Sequence, residues 1–224
     1  MPTFRHRNID LGYETLETET TPGSGRCYCT PAGKKYPSIT TVLSILSKDS
    51  IKEWRARVGN EEANRVSRVA AGRGTSVHSL VEDYLNNKEL DLKTKMPNAA
   101  ASFRSIQPVL DGRIGEIYAQ ECALYSDHLR VAGRCDLVAE FDGKLSIVDI
   151  KTSSRVKTAD DVHSYFMQEA AYAIMFEERT GIPVNRLVTV MSVDFGEVIV
   201  FKEKRDSWTK VLIETINQYY NQQL

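Results

Sequence analysis

The 224-residue sequence predicts an α/β domain: a mixed sheet core flanked by helices, preceded by an N-terminal helical lobe. Three observations predict it. Residues 116–125, 129–141 and 144–151 are rich in β-branched and apolar side chains, closely spaced enough to form a three-stranded meander. A helical pattern over residues 160–180 then leads to a further strand at 186–193, a strand–helix–strand step whose crossover is right-handed. Ahead of the meander, residues 38–110 carry a succession of helix starts and stops. The expected layout is one domain: an extension and hairpin over 1–37, the helical lobe over 38–112, the sheet core with its inserted helix over 113–205, and a C-terminal helix over 206–224.

In chain order, residues 1–24 are polar, with Glu and Thr clustered over 14–21 and a break at Pro22-Gly23-Ser24-Gly25, and are expected to be least ordered. Residues 26–30 and 34–37 flank Pro31-Ala32-Gly33 as a small hairpin. Ser38 caps a short apolar helix over 39–46, and Ser50-x-x-Glu53 has the capping-box form that opens a longer one. That longer helix carries Trp54, Arg55, Arg57, Arg65 and Arg68 and is expected to break at Gly72-Arg73-Gly74. A third helix over 75–86 places His78 and Glu82 four residues apart on one face. Pro97 introduces a helix over 98–110 ahead of the meander. In the helix over 160–180, Gln168 and Tyr172 are i, i+4 neighbours, and Gly181 with Pro183 ends it. A strand over 198–203 and an amphipathic helix over 207–222 complete the chain.

With 29 basic and 30 acidic residues the net charge is −1, so no global field draws a polyanion to the protein. Residues 26–73 hold ten Lys or Arg against four Asp or Glu, which makes this segment the candidate basic patch; a solvated helix surface is its plainer explanation. No apolar run approaches the ~18 residues of a membrane span, and the N-terminus lacks signal or transit character, so a cytoplasmic protein is expected. Cys27, Cys29, Cys122 and Cys135 show no zinc-type spacing and read as small apolar fillers rather than disulfides.

The chemistry concentrates in the hairpin over 129–151. Asp142-Gly143 calls for a two-residue type I′ turn, which fixes the register. With Phe141 paired to Lys144, Asp136 falls opposite Asp149, with Cα atoms about 4.5 Å apart. Lys151 lies on the same side, and its one cation offsets only part of the repulsion between the carboxylates. A hard divalent cation, Mg²⁺ or Mn²⁺, would complete the arrangement. A turn over 126–129 would set Glu121 opposite Arg134, diagonal to Asp136, and add a third carboxylate. Standing alone, the short pattern is equally that of a surface ion pair on a solvated sheet face.

Taken in order, Gly74-Thr75-Ser76-Val77-His78, Glu121, Gly133-Arg134-Cys135-Asp136, Asp149-Ile150-Lys151-Thr152 and Gln168-x-x-x-Tyr172 resemble the RecB-like branch of the PD-(D/E)xK nuclease superfamily. The hairpin and Tyr36-Pro37-Ser38-Ile39-Thr40 are similar to phage-encoded exonucleases and mitochondrial genome maintenance exonucleases. The resemblance implies a restriction-endonuclease-like core. It implies that Asp136, Asp149 and the Ile150 carbonyl ligate Mg²⁺ or Mn²⁺ with His78 as a further contact, and that Lys151 holds and helps deprotonate the attacking water. It also implies that Gln168 and Tyr172 order the site and that Glu121 acts on the metal through water. Some relatives carry an iron–sulfur cluster held partly by late cysteines; no cysteine follows Cys135 here, so no cluster is expected.

Independently of family, a phosphodiester is an anion, and its hydrolysis needs charge neutralised, a water acidified and the leaving alkoxide stabilised. Carboxylates suit that metal, and an imidazole shifts preference towards Mn²⁺; His78 is otherwise a half-buried helix residue bonded to Glu82. Arg55, Arg57, Arg65, Arg68 and Arg73 suit phosphate contacts that ignore base identity, and Trp54 or Tyr36 suit stacking on an unpaired base, with Trp54 equally suited to the core. The expected function is therefore a metal-dependent exonuclease on single-stranded DNA in phage or bacterial replication, recombination or repair, with a helicase, recombinase or single-strand-binding protein as a candidate partner and no membrane. The alternatives are a structure-specific endonuclease on the same fold and a non-catalytic DNA-binding subunit.

Overall fold

A computed structural model of the chain describes residues 3–7, 9–21, 25–196 and 198–223. The break expected at Pro22-Gly23-Ser24 lies outside the described residues. Strands β1 (Glu17–Thr21), β2 (Gly25–Cys29) and β3 (Lys35–Pro37) form a small antiparallel sheet in that order. The β2–β3 hairpin matches expectation; β1 corrects it, because the Glu/Thr run expected to lack order pairs along its whole length with β2. Alternating β-branched threonines favour an edge strand, and Lys35 reaches across β2 to Glu19 at 2.8 Å. Residues 5–7 are also held, through Arg7 N–H to the Ile117 carbonyl at 2.7 Å and Ile117 N–H to the Arg5 carbonyl at 2.8 Å.

Helix α1 (Ile39–Leu43) starts at Ser38, whose hydroxyl accepts the Thr41 N–H at 3.0 Å, as the sequence indicates. A 3₁₀ turn follows, then α2 (Lys48–Val58) and α3 (Asn60–Leu85). Two expectations are corrected here. Helix α2 begins before Ser50, whose hydroxyl donates back to the Ser47 carbonyl instead of capping. The chain breaks at Gly59, with φ +85° and ψ 152°, a conformation reserved almost entirely for glycine, and then runs as one 26-residue helix straight through Gly72-Arg73-Gly74. The two glycines cost about 1 kcal/mol each in helix propensity. Arg73 between them offsets this by fastening the helix to Asp194 and to the Ser153 carbonyl. In α2 no residue is buried, and over the first half of α3 only Ala63 is, so the two form a helical hairpin exposed along most of its length. From Arg73 onward a buried stripe, Val77, Leu80, Val81, Tyr84 and Leu85, seats α3 on the sheet.

After α4 (Pro97–Arg113) come β4 (Ile114–Ser126), β5 (Val131–Phe141), β6 (Lys144–Ser153), α5 (His163–Thr180), β7 (Arg186–Val193), β8 (Val198–Lys204) and α6 (Arg205–Asn221). The five strands form one mixed sheet in sequential order, with β6 and β7 parallel across α5 and the other pairs antiparallel. Helices α1, α5 and α6 cover one face around Phe166, Phe176, Ile147 and Leu187. Helices α3 and α4 cover the other around Leu80, Phe103, Val148 and Val188. Covering on both faces explains why β6 and β7 are buried along most of their length, polar residues included. Among the described residues no helix is long and apolar enough to cross a membrane.

The β5–β6 register is the expected one, from Phe141 against Lys144 to Leu137 against Val148, with Asp142 and Gly143 at φ +52° and +70° as a type I′ turn demands. The β4–β5 register is not. Cys122 faces Cys135 and Gln120 faces Leu137, so Glu121 lies abreast of Asp136, two places from its expected partner Arg134. The cause is the turn: Leu129, apolar and buried, belongs to it rather than to β5, and Arg130 at φ +58° donates its N–H to the Ser126 carbonyl at 2.9 Å.

Candidate active site

Beyond the Leu137–Val148 pair, the Asp136 carboxylate accepts the Ile150 N–H at 2.9 Å, a side chain doing what a ladder carbonyl does elsewhere. The continuous α3 brings His78 over this point, with Nδ1 3.4 Å from Asp136 Oδ1 and 3.9 Å from Glu121 Oε1. Glu121 sits at φ +47°, a left-handed conformation uncommon for a residue with a side chain, between two regular pairs of the ladder. One ligand atom from each of His78, Glu121 and Asp136 lies within 4.8 Å of the others. Ile150, Glu82 and Gln120 help line the same cleft.

Asp149 is held differently. It is 1% exposed, its Oδ1 accepts from the Gln168 amide at 3.2 Å, and its Oδ2 lies 2.6 Å from the Lys151 ammonium without the alignment of a hydrogen bond. Gln168 also donates to the Tyr172 hydroxyl at 3.3 Å, so α5 orders the carboxylate through the i, i+4 pair expected from sequence. Of the expected ligands His78, Asp136, Asp149 and Ile150, the structure brings His78 and Asp136 together with Glu121, while Asp149 stands on Lys151 and Gln168.

Electrostatics follow from burial and these partners. Desolvation pushes Asp149 up to about 6, helped by Asp136 and opposed by Lys151. Burial acts on Asp136 in the same direction, but His78, Lys151 and the Ile150 N–H outweigh it, and the carboxyl stays below its ordinary range. Burial would lower His78, yet its bonds to Asp136 and Glu121 raise it to about 10, an imidazolium facing two carboxylates. Lys151 is likewise raised by Asp149 and Asp136 against desolvation. As a cation it can orient and stabilise anions.

The donor set fits a hard divalent cation: two carboxylates and an imidazole converge, and a buried oxygen of Asp149 beside them accepts no hydrogen bond. The sequence reading missed Glu169, which is fully buried next to Gln168 and accepts from the Thr189 hydroxyl. Thr189 is the register partner of Asp149, and burial holds the Glu169 carboxyl well above its usual range. The available signal was an acid inside the otherwise apolar α5 stripe.

The candidate nucleic-acid contacts divide. Arg57 and Arg68 are exposed on the helical hairpin, Arg65 pairs with Glu62 at 2.7 Å, Arg55 bonds Asn64 at 2.9 Å, and Trp54 is half-buried. Arg73 and Tyr36 are corrections: both are buried, Arg73 bound to Asp194 and Ser153, and Tyr36 with its hydroxyl on Asp127 at 2.7 Å. The Tyr36 hydroxyl and both terminal nitrogens of Arg73 are engaged within the fold.

Two curated relatives are mitochondrial genome maintenance exonuclease 1 of Xenopus tropicalis, 27% identical over 160 residues, and of Homo sapiens, 30% identical over 131 residues. The alignments cover 66% and 54% of this chain but only 46% and 38% of those proteins, so the chain spans less than half the length of the relatives it matches. A solved structure described as a candidate exonuclease, from Eubacterium rectale, is similar over 68% of this chain and 69% of its own, at 10% identity and a TM-score of 0.40. Residues 95–222, which carry Glu121, Asp136, Asp149, Lys151, Gln168 and Tyr172, match the family model of the PD-(D/E)XK nuclease superfamily, and the chain belongs to that superfamily.

Proposed function

We propose that the chain is a metal-dependent exonuclease that hydrolyses phosphodiester bonds of single-stranded DNA. The observation that carries this reading is the convergence of His78, Glu121 and Asp136 beside the buried Asp149–Lys151 pair. His78, Glu121, Asp136 and Asp149 would hold Mg²⁺ or Mn²⁺, which when bound neutralises phosphate charge and lowers the pKa of a coordinated water. Lys151 contributes a fixed positive charge towards the scissile phosphate and orients the nucleophile. Gln168 keeps one Asp149 oxygen turned away from Lys151, and Tyr172 keeps Gln168 in place. Single-strand preference is supported by the basic helical hairpin, where the exposed Arg57 and Arg68 are available to backbone phosphates, Arg55 and Arg65 would exchange Asn64 and Glu62 for them, and Trp54 is available to a base. The names of the two curated relatives support the exonuclease reading.

The test incubates the purified protein with end-labelled linear and circular single-stranded DNA of matched length, in Mg²⁺, Mn²⁺ or EDTA. The linear strand is expected to be degraded from an end in either metal, the circle to survive, and Asp149→Asn to abolish cleavage. Undiminished cleavage in EDTA would refute metal dependence, and a circle cut as fast as the linear strand would make the protein an endonuclease.

A further inference from the structure

The rim of the site holds a second lysine that the proposed chemistry does not use. Tyr165, in the first turn of α5, has two ammoniums around its ring: Lys151 Nζ 5.2 Å and Lys157 Nζ 5.0 Å from the centroid. Lys157 also donates to the Tyr165 hydroxyl at 2.8 Å. Lys151 is neutralised by Asp149 at 2.6 Å, whereas Lys157 has no carboxylate within ion-pair distance among the described residues. Its loop is braced at both ends. Ser153 donates to the Arg155 carbonyl at 2.6 Å, and Thr158 and Asp161 form a capping box ahead of α5. Arg155, in the same loop, lies 3.4 Å from Asp161, which leaves Lys157 as the loop's uncompensated cation. Lys157 is thus a charged group held at the rim with, among the described residues, only a phenol as partner, which an anion can approach.

We propose that Lys157 contacts a backbone phosphate of the nucleic-acid strand adjacent to the phosphate undergoing hydrolysis, with Tyr165 as its positioning residue. The inference rests on the nuclease reading and adds a subsite to it. The scissile phosphate is served by the metal ligands and Lys151, but each neighbouring phosphate carries its own charge and reaches the rim as the strand leaves the cleft. An ammonium meets it as a point charge, without demanding a base sequence. A cation already held by the phenol and the braced loop loses little freedom on binding.

The experiment measures binding of a labelled single-stranded oligonucleotide in Ca²⁺ across a salt series for Lys157→Ala, Lys157→Gln, Lys157→Arg and Tyr165→Phe, with cleavage in Mg²⁺ and thermal melting in parallel. Lys157→Ala and Lys157→Gln are expected to bind roughly ten-fold more weakly, and the slope of log affinity against log salt to become shallower by about 0.7, the value for one phosphate of a single strand. Lys157→Arg should restore both quantities, and Tyr165→Phe, which keeps the ring and loses the hydroxyl, should fall between. An unchanged slope in Lys157→Ala overturns the proposal whether or not affinity falls, because loss of a scaffold contact does not alter counterion release. If that happens while the wild-type protein cleaves, the nuclease reading stands without this subsite. A wild-type protein that binds but cleaves in no divalent metal overturns the nuclease reading instead.

Discussion

Lys151 shows how one side chain serves both scaffold and site. It lies 2.6 Å from the almost wholly buried Asp149, and the carboxylates around it keep it charged. In the proposed reaction it would act as a fixed cation. Lys151→Ala is expected to slow single-turnover cleavage at least ~100-fold while binding to single-stranded DNA survives, the scale of losing one preorganised charge-stabilising group. A gel-shift assay beside the kinetics separates the two, and a variant that cleaves normally would leave the lysine a structural role only. The hairpin register that carries Asp136, Asp149 and Lys151 was legible in the sequence as far as Leu137 against Val148, because a two-residue turn transmits register along a hairpin. The position of Glu121 was not, since a four-residue turn containing a buried leucine gives no such count.

At the scale of elements, the site depends on how closely α5 approaches β5. A Cβ on Gly133 would fall 2.8 Å from Tyr172 Cε1 and 3.2 Å from Ile39 Cγ2, and Ile39 is fully buried and cannot yield. Gly133→Ala should therefore displace Tyr172 and, through it, the Gln168 amide that holds Asp149. Overpacking of this kind costs about 1–3 kcal/mol, or roughly 2–12 °C in Tm for a chain of this size. Cleavage should fall further than Tm alone accounts for, and assays well below the melting range check this. Unchanged activity would show that Tyr172 does not hold the site. The same scale explains the misplaced helix break. Gly72 and Gly74 look like stronger breakers than Gly59, yet φ at Gly59 is +85° and the other two stay helical because Arg73 is anchored outside the helix.

Across the whole molecule, the end of the sheet remote from the site is closed by one carboxylate. Asp142, in the β5–β6 turn, meets Arg113 at the end of α4 at 2.6 Å, Lys202 of β8 at 2.8 Å and Arg186 of β7 at 3.3 Å. The Arg113 hydrogen bond, then that of Lys202, holds its carboxyl well below the ordinary range. A depressed folded-state pKa stabilises the protein above the unfolded value of about 3.9, and that stability is lost as pH falls through the folded value. Asp142→Asn keeps a side chain that suits a type I′ turn and removes the charge, so the melting temperatures of wild type and variant should differ by a constant amount from pH 7 to about 5 and draw together progressively below about 4 as pH falls towards the folded value. With Asp142 about a third exposed, solvent screening limits the difference to about 1 kcal/mol. A gap that persists undiminished at pH 2 would exclude this electrostatic origin. What the sequence alone determined was local: the turn at Asp142-Gly143, the β5–β6 register, the Ser38 cap, the Gln168–Tyr172 pair and the order of strands and helices. Each depends on a few neighbouring residues, and period and turn chemistry report on those directly. Tertiary structure decided that Glu121 stands beside Asp136, and that Arg73 and Tyr36 are structural. The partners of those last two, Asp194 and Asp127, lie 121 and 91 residues away, and no local pattern records a bond that exists only once distant segments have packed.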